Sequence, residues 1–279
     1  MHPKNIHQSS YDFDLLKKHY PPLGPFITTT KGKLPTIDFA NPKAVFALNK
    51  ALLLTHYKIV DWDIPEGYLC PPIPSRVDYL HHINDVLEKK EVTGFDLGTG
   101  ANCIYTLLGA AVYGWRMLGV DSDITAVTHA KKNVALNPHL SDLISVKHQN
   151  NKSFMFTGVL ESDQHVDFTM CNPPFFASQQ EANKANVQKN RNLNLNSTAR
   201  NFGGNAHELW CNGGEALFLK RMIKESVHFK DQVGLFSSLV SNTSHLAKQQ
   251  KLIKKLGASP RVIKMTHGQK QSQLLLWQF

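Results

Sequence analysis

Two short clusters in this sequence have residue types suited to chemistry. Asn172-Pro173-Pro174-Phe175 directly follows the apolar run Val166 to Cys171. A planar amino nitrogen that shares its lone pair with a ring or carbonyl is a poor nucleophile. The Asn172 carboxamide oxygen and the Pro173 backbone carbonyl can each accept one of its N–H groups. Such a pair of neutral acceptors holds the NH2 and favours a lone pair aimed at an electrophilic carbon. Pro173 and Pro174 each fix φ and so stiffen the carbonyl geometry. Phe175 offers a ring face on which a base can stack, worth about 1–3 kcal/mol in related contacts. No strong general base is needed, because the attacking amine can lose its proton after transfer.

The second cluster is Phe95-Asp96-Leu97-Gly98-Thr99-Gly100-Ala101-Asn102, between a strand pattern and a helix pattern. Gly98 and Gly100 let the backbone turn tightly and approach a ligand at the carboxyl end of a strand. A further strand ends Gly119-Val120-Asp121, at about the 20-residue distance where an acid can accept both ribose hydroxyls. The alternative for Asp121 is a capping acid ahead of Ser122-Asp123. Asp96 is placed beside a cofactor amino group, or else is a buried acid that orients loop amides. Position 103 is Cys, so the third glycine of a dinucleotide fingerprint is missing.

Alternating strands and helices position these clusters. Ser75 reads as the cap of a helix over Arg76 to Lys90, with Val77, Leu80, Ile83 and Leu87 roughly on one face. Strands are expected over Val92 to Leu97, Arg116 to Val120, Leu143 to His148, Val166 to Cys171 and Gln232 to Ser237. Helices are expected over Asn102 to Tyr113, Asp123 to Asn137, Glu215 to His228 and Asn242 to Leu256. Arg261 to Thr266 and Ser272 to Gln278 alternate around a turn and close the chain as a hairpin. The class is α/β: a mainly parallel seven-stranded sheet with helices on both faces and a C-terminal antiparallel hairpin. Residues 1–74 differ in punctuation, with Pro21-Pro22-Leu23-Gly24-Pro25 and Pro71-Pro72-Ile73-Pro74 framing one main helix over Ala44 to His56, capped by Asn41. They form an ordered N-terminal extension, and 75–279 the Rossmann-like domain.

Composition excludes other classes. With 279 residues the chain can bury a sizeable core unaided. Its four Cys, at 70, 103, 171 and 211, contain no Cys-x-x-Cys pair, which disfavours a disulfide framework and fits a reducing cytoplasm. The apolar stretch Leu107 to Trp115 is far shorter than the roughly 20 residues of a membrane span, and Met1-His2-Pro3-Lys4-Asn5 opens no secretory signal. The 14 His show no His-x-x-x-His or His/Cys ligand spacing, so no metal is assigned, and His81-His82 reads as a surface pair. The net charge of +9, from 31 Lys+Arg against 22 Asp+Glu, favours a polyanionic partner.

Asp-x-Gly-x-Gly resembles motif I of S-adenosylmethionine-dependent methyltransferases, and Asn-Pro-Pro-Phe after the fourth strand resembles their catalytic tetrapeptide. The whole chain resembles the RlmF family of 23S ribosomal RNA adenine-N6 methyltransferases, and more distantly the eukaryotic adenine-N6 methyltransferases of small nuclear RNA. His2-Pro3-Lys4-Asn5, residues 71–79, residues 97–105, Ala130-Lys131-Lys132-Asn133-Val134 and Cys171-Asn172-Pro173-Pro174-Phe175-Phe176 carry the likeness. The resemblance implies a Rossmann-like class I fold, S-adenosyl-L-methionine as methyl donor and one adenine of 23S rRNA as target. It implies that Arg76 pairs with the cofactor carboxylate, Gly98 and Gly100 approach the cofactor, Asp121 holds the ribose and Asn172 contacts the reacting amine. The cofactor adenine contact falls in Gln149 to Ser153, with Asn150 as the candidate.

RNA phosphates are expected on His2, Lys4, Lys17, Lys18, Lys31 and Lys33, and on Lys184, Lys189, Arg191 and Arg200 of the polar segment Gln179 to Asn205. That segment reads as a lid that folds over RNA. Phe176 and Trp210 are candidates for stacking or for core packing. Asn-Pro-Pro-Phe also suits guanine-N2 methylation of rRNA and glutamine-N5 methylation of release factors, and these alternatives stay open. So does a non-catalytic RNA-binding assembly factor. No membrane and no obligate protein partner are inferred.

Overall fold

The computed structural model describes residues 1–174, 176, 178, 211 and 213–279 except 268 and 269. The chain opens with a short helix α1 (Phe13–His19), whose first turn is capped by Asp12. A small hairpin follows, β1 (Ile27–Thr29) antiparallel to β2 (Pro35–Ile37). Helix α2 (Pro42–His56) starts where Asn41 accepts the amides of Lys43 and Ala44 and Pro42 takes the first helical position. One main helix was expected before residue 75. The structure adds α1 and the hairpin, elements of seven and three residues that are too short to show a period.

Helix α3 (Ile73–Leu87) begins earlier than expected. Its cap is Pro72, not Ser75, and Pro74 sits in the first turn, where the missing N–H would have had no intrahelical partner. Then come β3 (Thr93–Leu97), α4 (Ile104–Tyr113), β4 (Arg116–Asp121), α5 (Ile124–Ala135), β5 (Ile144–His148) and β6 (Val166–Cys171). Helix α6 (Gly214–Ser226), β7 (Val233–Val240), α7 (Leu246–Lys255), β8 (Ser259–His267) and β9 (Lys270–Gln278) complete the described elements. α7 ends in a Schellman turn: Gly257 has φ +87°, its N–H bonds the Lys254 carbonyl, and Ala258 reaches back to Ile253.

The main sheet has the order β5-β4-β3-β6-β7-β9-β8. The first five strands pair in parallel, and β9 runs antiparallel to both β7 and β8. Strand period decides which face each residue joins. Phe95 and Leu97 of β3 pack with Met155, Phe156, Leu219, Ile223 and Ile253. On the opposite face Met117 and Phe168 pack with Tyr79, Leu80, Leu107 and Leu108. Gly94 lies on that face because a Cβ there would stand 2.4 Å from the Phe168 ring.

The N-terminal segment shares this second core, which also holds Phe13, Leu16, Leu23, Leu52, Leu53 and Trp62. Three asparagines fasten it. Asn133 accepts the Asp63 amide and donates to the carbonyls of Asp63 and Ala101. Asn137 accepts from Val60 and donates to Asp61. Asn5 donates to Pro74 and Asp78 of α3. No described helix is long and apolar enough to cross a membrane.

Candidate active site

The strand order reverses at β3, with β4 on one side and β6 on the other, and ligands bind at such a switch point beyond the carboxyl ends of the strands. A cavity of about 400 Å³ lies there. Its walls draw on the loop after β3, the end of β4, the start of α3, the loop after β5 and the end of β6.

Gly98 and Gly100 have φ +76° and +65°, a conformation that L side chains rarely adopt. The Gly98 and Thr99 amides bond the Val120 carbonyl at 2.8 and 3.0 Å, which folds the loop down onto β4. A Cβ on Gly98 would meet no atom within 4 Å, so this backbone faces open cavity. Cys103, where a third glycine would stand, also has a left-handed φ of +52° and caps α4.

Asp121 lines the cavity. Its Oδ2 accepts the Gly100 amide and its Oδ1 the Asp123 amide, both at 2.9 Å. Burial raises its pKa above the usual carboxylate value, and these amide bonds oppose the rise. The cap of α5 is Asp123, not Asp121, and each Asp121 carboxylate oxygen keeps a second lone pair for a ribose hydroxyl.

Arg76 enters the cavity from the first turns of α3. It is 7% exposed, donates to the Tyr105 hydroxyl at 2.8 Å, and stands 5.2 Å from the centre of that ring. Among the described residues no carboxylate forms an ion pair with it. A buried guanidinium without an anion is costly. It fits an anionic ligand group at this end of the cavity.

Of the two readings of Asp96, beside a cofactor amino group or a buried acid that orients loop amides, the structure shows a buried acid off the cavity wall. It is fully buried, does not line the cavity, and accepts from Thr106 Oγ1 at 3.2 Å, while its Oδ1 has no partner. Strand alternation is the reason: Phe95 and Leu97 take one face of β3, and Asp96 faces α4. Burial pushes its carboxyl up to about 7, against the opposing pull of the Thr99 and Thr106 hydroxyls. Asn150 is the residue expected at the cofactor adenine. It is exposed and off the cavity wall, which Gln149, Lys152, Phe154 and Met155 line. Gln149 faces inward because its amide continues the β4–β5 pairing to the Asp121 carbonyl at 2.8 Å.

Asn172 and Pro174 line the far side of the cavity, and Pro173 is buried and is not part of that wall. The Asn172 Oδ1 is buried and has no hydrogen-bond partner among the described residues. An orphaned carboxamide oxygen at a cavity is an acceptor awaiting a donor. Cys211, Phe218 and Arg221 complete this side, with the Cys211 amide bonded to the Phe176 carbonyl at 3.1 Å. Phe175, Lys184, Lys189, Arg191, Arg200, Trp210 and the polar segment Gln179 to Asn205 lie outside the described residues.

The amino-terminal cations read differently in three dimensions. His2 is buried, its backbone amide donates to Asp78 at 2.7 Å, and its ring lies 2.8 Å from Asp85. Its imidazole is thus turned into the fold and away from a phosphate path. Lys4 is exposed and pairs with the same Asp85 at 2.7 Å. Lys17, Lys18, Lys31 and Lys33 are exposed. His81 is no surface residue: it is buried against His2 and bonds the Tyr113 hydroxyl.

Sequence reasoning missed Leu69 and Pro71, which wall the cavity from the N-terminal segment. The run Pro71-Pro72-Ile73-Pro74 marked the place without showing what it faced. It also missed Glu225 on α6. That carboxylate accepts from the amides of Met155, Phe156 and Thr157 at 2.8, 3.0 and 2.9 Å and from the Thr157 hydroxyl, and so fixes the loop after β5. Only three-dimensional proximity, some 70 residues along the chain, shows this.

Switch-point sheet, glycine loop, ribose-type acid and strand-terminal Asn-Pro-Pro together define a Rossmann-like class I S-adenosylmethionine-dependent methyltransferase. A family model described as RNA methyltransferase matches residues 1–279, and the chain belongs to that family. It is 49% identical to the ribosomal RNA large subunit methyltransferase F of Christiangramia forsetii, over 100% of both chains. It is 44% identical to the protein of that name from Escherichia coli, over 100% of this chain and 93% of that one. Among solved structures it resembles the human METTL16 catalytic domain in complex with the MAT2A 3'UTR hairpin 1, with TM-score 0.88 and 33% identity over 100% of this chain and 95% of the other. The N-terminal domain of human METTL16 in complex with SAH gives TM-score 0.80 at 29% identity, covering 100% and 98%.

Proposed function

We propose that this protein methylates the exocyclic N6 of a specific adenine in 23S rRNA. The observation that carries this reading is the orphaned Asn172 carboxamide oxygen on the wall of a cavity that also holds an unpaired, buried Arg76. S-adenosyl-L-methionine, when bound, supplies a methyl group on a sulfonium sulfur that is already activated for in-line displacement.

The residues of the chain do the rest by positioning. Arg76 pairs with the carboxylate of the cofactor's amino acid tail, a match for a planar guanidinium fork. Gly98 and Gly100 admit the cofactor against bare backbone. Asp121 accepts the ribose hydroxyls on its remaining lone pairs. Gln149, Phe154 and Met155 enclose the adenine end. Asn172 accepts one N–H of the target amine, and the Pro173 carbonyl, stiffened by Pro174, accepts the other. With both hydrogens held, the nitrogen lone pair points at the methyl carbon, and the proton leaves after transfer.

A base must leave its stack to reach such a cavity, so unpaired or flipped adenine is the substrate form. The rRNA substrate is the polyanion that a net charge of +9 attracts, and it makes the cytoplasm the site of action. Lys4 and the other exposed lysines of the extension contribute only phosphate attraction, which positions RNA without reading sequence.

The test is methylation of deproteinised 23S rRNA by wild type and Asn172→Ala, read by nucleoside mass analysis. Wild type yields N6-methyladenosine. The variant loses at least about 100-fold in turnover, the scale of one removed transition-state contact, while its cofactor affinity changes less than about threefold. N2-methylguanosine as product, methylglutamine in a release factor instead, or full activity of the variant would refute the assignment.

A further inference from the structure

Besides Arg76 and Lys152, the cavity wall carries a third cation, Arg221. Arg221 lines it from α6, and among the described residues it forms no ion pair. Its place along the cavity follows from its neighbours. The positive charge of Arg221 is close enough to lower the Cys211 thiol pKa against the larger opposite push of burial. Cys211 in turn bonds the Phe176 carbonyl, on the chain that continues the catalytic tetrapeptide. Arg221 therefore stands at the Asn172 end. Arg76 enters the same cavity from α3, against Tyr105.

Phe218 is one helical turn before Arg221 on the same face of α6. It also lines the cavity and is only partly buried, resting on the core beneath β3 and β6. Ring and guanidinium thus present a stacking surface and an exposed cation to the same space. That combination recognises a nucleotide: an aromatic face for the base and a fork for a phosphate oxygen pair.

We propose that Phe218 and Arg221 form the receiving site for the target nucleotide, with Arg221 binding a backbone phosphate adjoining the flipped adenine and Phe218 flanking its base. This deepens the RNA reading of the same cavity and rests on it. The two arginines then have different anions, Arg76 a carboxylate of the cofactor and Arg221 a phosphate of the RNA. Neither is a general base. Arg221 touches substrate away from the reacting nitrogen, so its loss weakens RNA engagement and leaves cofactor binding alone.

The experiment compares wild type, Arg221→Gln, Arg221→Lys and Phe218→Leu. It measures methylation of deproteinised 23S rRNA over a salt series, S-adenosylhomocysteine affinity by calorimetry, and melting temperature. Arg221→Gln should lose about 10- to 100-fold in kcat/KM, the scale of a charge-assisted hydrogen bond. The slope of log(1/KM) against log salt should become shallower by about 0.7, one single-strand phosphate contact. Arg221→Lys should recover the salt slope and part of the rate. Phe218→Leu should raise KM several-fold with the slope unchanged. All three should bind S-adenosylhomocysteine as wild type does.

Weakened S-adenosylhomocysteine binding in Arg221→Gln would assign the cation to the cofactor and overturn the proposal. An unchanged salt slope, or a rate loss matched by a fall in melting temperature, would overturn it too. Failure of wild type to make N6-methyladenosine would instead defeat the underlying function, so the two failures are told apart by the wild-type reaction.

Discussion

Replacing Arg76 by Met separates a ligand-binding cation from a structural one. In the protein without ligand, the guanidinium makes one hydrogen bond, to Tyr105 at 2.8 Å, and lies 5.2 Å from its ring centre. Removing it forfeits about 1.5–3 kcal/mol for the charged hydrogen bond and about 0.5–2 kcal/mol for the ring contact. It also removes a buried charge that forms no ion pair among the described residues, whose desolvation costs several kcal/mol. Met retains much of the apolar stem packing. These contributions oppose each other, so the net change in stability of the free protein should stay within about 2 kcal/mol, a shift of a few degrees in melting temperature for a chain of this size. The ligand side has no such cancellation. Two charge-assisted bonds to a carboxylate are worth about 3–6 kcal/mol together, or about 10²- to 10⁴-fold in Kd. Calorimetry and thermal shift with S-adenosylhomocysteine read both quantities. At about 100 times the wild-type Kd, wild type gains about 2.7 kcal/mol of stability from the ligand and the variant almost none. An unchanged Kd would refute the assignment, and so would a free protein that melts ten or more degrees lower.

Two further perturbations address the frame around the cavity. Glu225→Gln keeps the shape but replaces a carboxylate that accepts four hydrogen bonds from residues 155–157; it should cost about 2–4 kcal/mol of stability, weaken S-adenosylhomocysteine about tenfold, and speed amide exchange at Met155, Phe156 and Thr157, and wild-type exchange there would count against a loop-fixing role. Burial and nearby histidines lower the pKa values of His7 and His81 to about 4, so between pH 6.5 and 4 the unfolded chain binds protons that the folded chain refuses. Their share of stability is complete above about pH 6.5 and declines as pH falls, by about 1.4 kcal/mol per pH unit for each. Asp96, held near 7, acts in the opposite direction, its share declining as pH rises from about 4 to 7. Urea denaturation at stepped pH should therefore show a shallower acid decline in His81→Gln than in wild type, and equal slopes would disprove the assignment to His81.

What could be read from the sequence was local. β6 occupies its expected span, Val166–Cys171, and Asp123 caps α5 as its residue type suggests. Gly98 and Gly100 carry the positive φ values that their place between strand and helix required. Asn172 follows the last residue of a central parallel strand, at the carboxyl end where such cavities open, and it lines the cavity wall. The third glycine shows where residue type alone runs out. Cys103 is buried and takes a left-handed φ of +52° at the start of α4, a conformation its residue type does not announce.

The rest was illegible because periodicity assigns a residue to a face and says nothing about its partner. His2 and Lys4 have the residue types of phosphate ligands, yet both turn to Asp85, more than 80 residues along the chain. Asp78, fully buried on α3, receives the His2 amide and the Asn5 side chain. Asp78 is two residues from Arg76, so the amino-terminal turn holds the segment of helix that carries the cavity's carboxylate-binding cation. Asn133 does the equivalent on the other side, with one side-chain amide bridging Asp63 to the Ala101 carbonyl of the glycine loop. Two segments that carry the family likeness, residues 2–5 and 130–134, are therefore joined through these contacts to one cavity. It follows that substitutions at Asn5 or Asn133 should act on cofactor affinity before they act on RNA affinity.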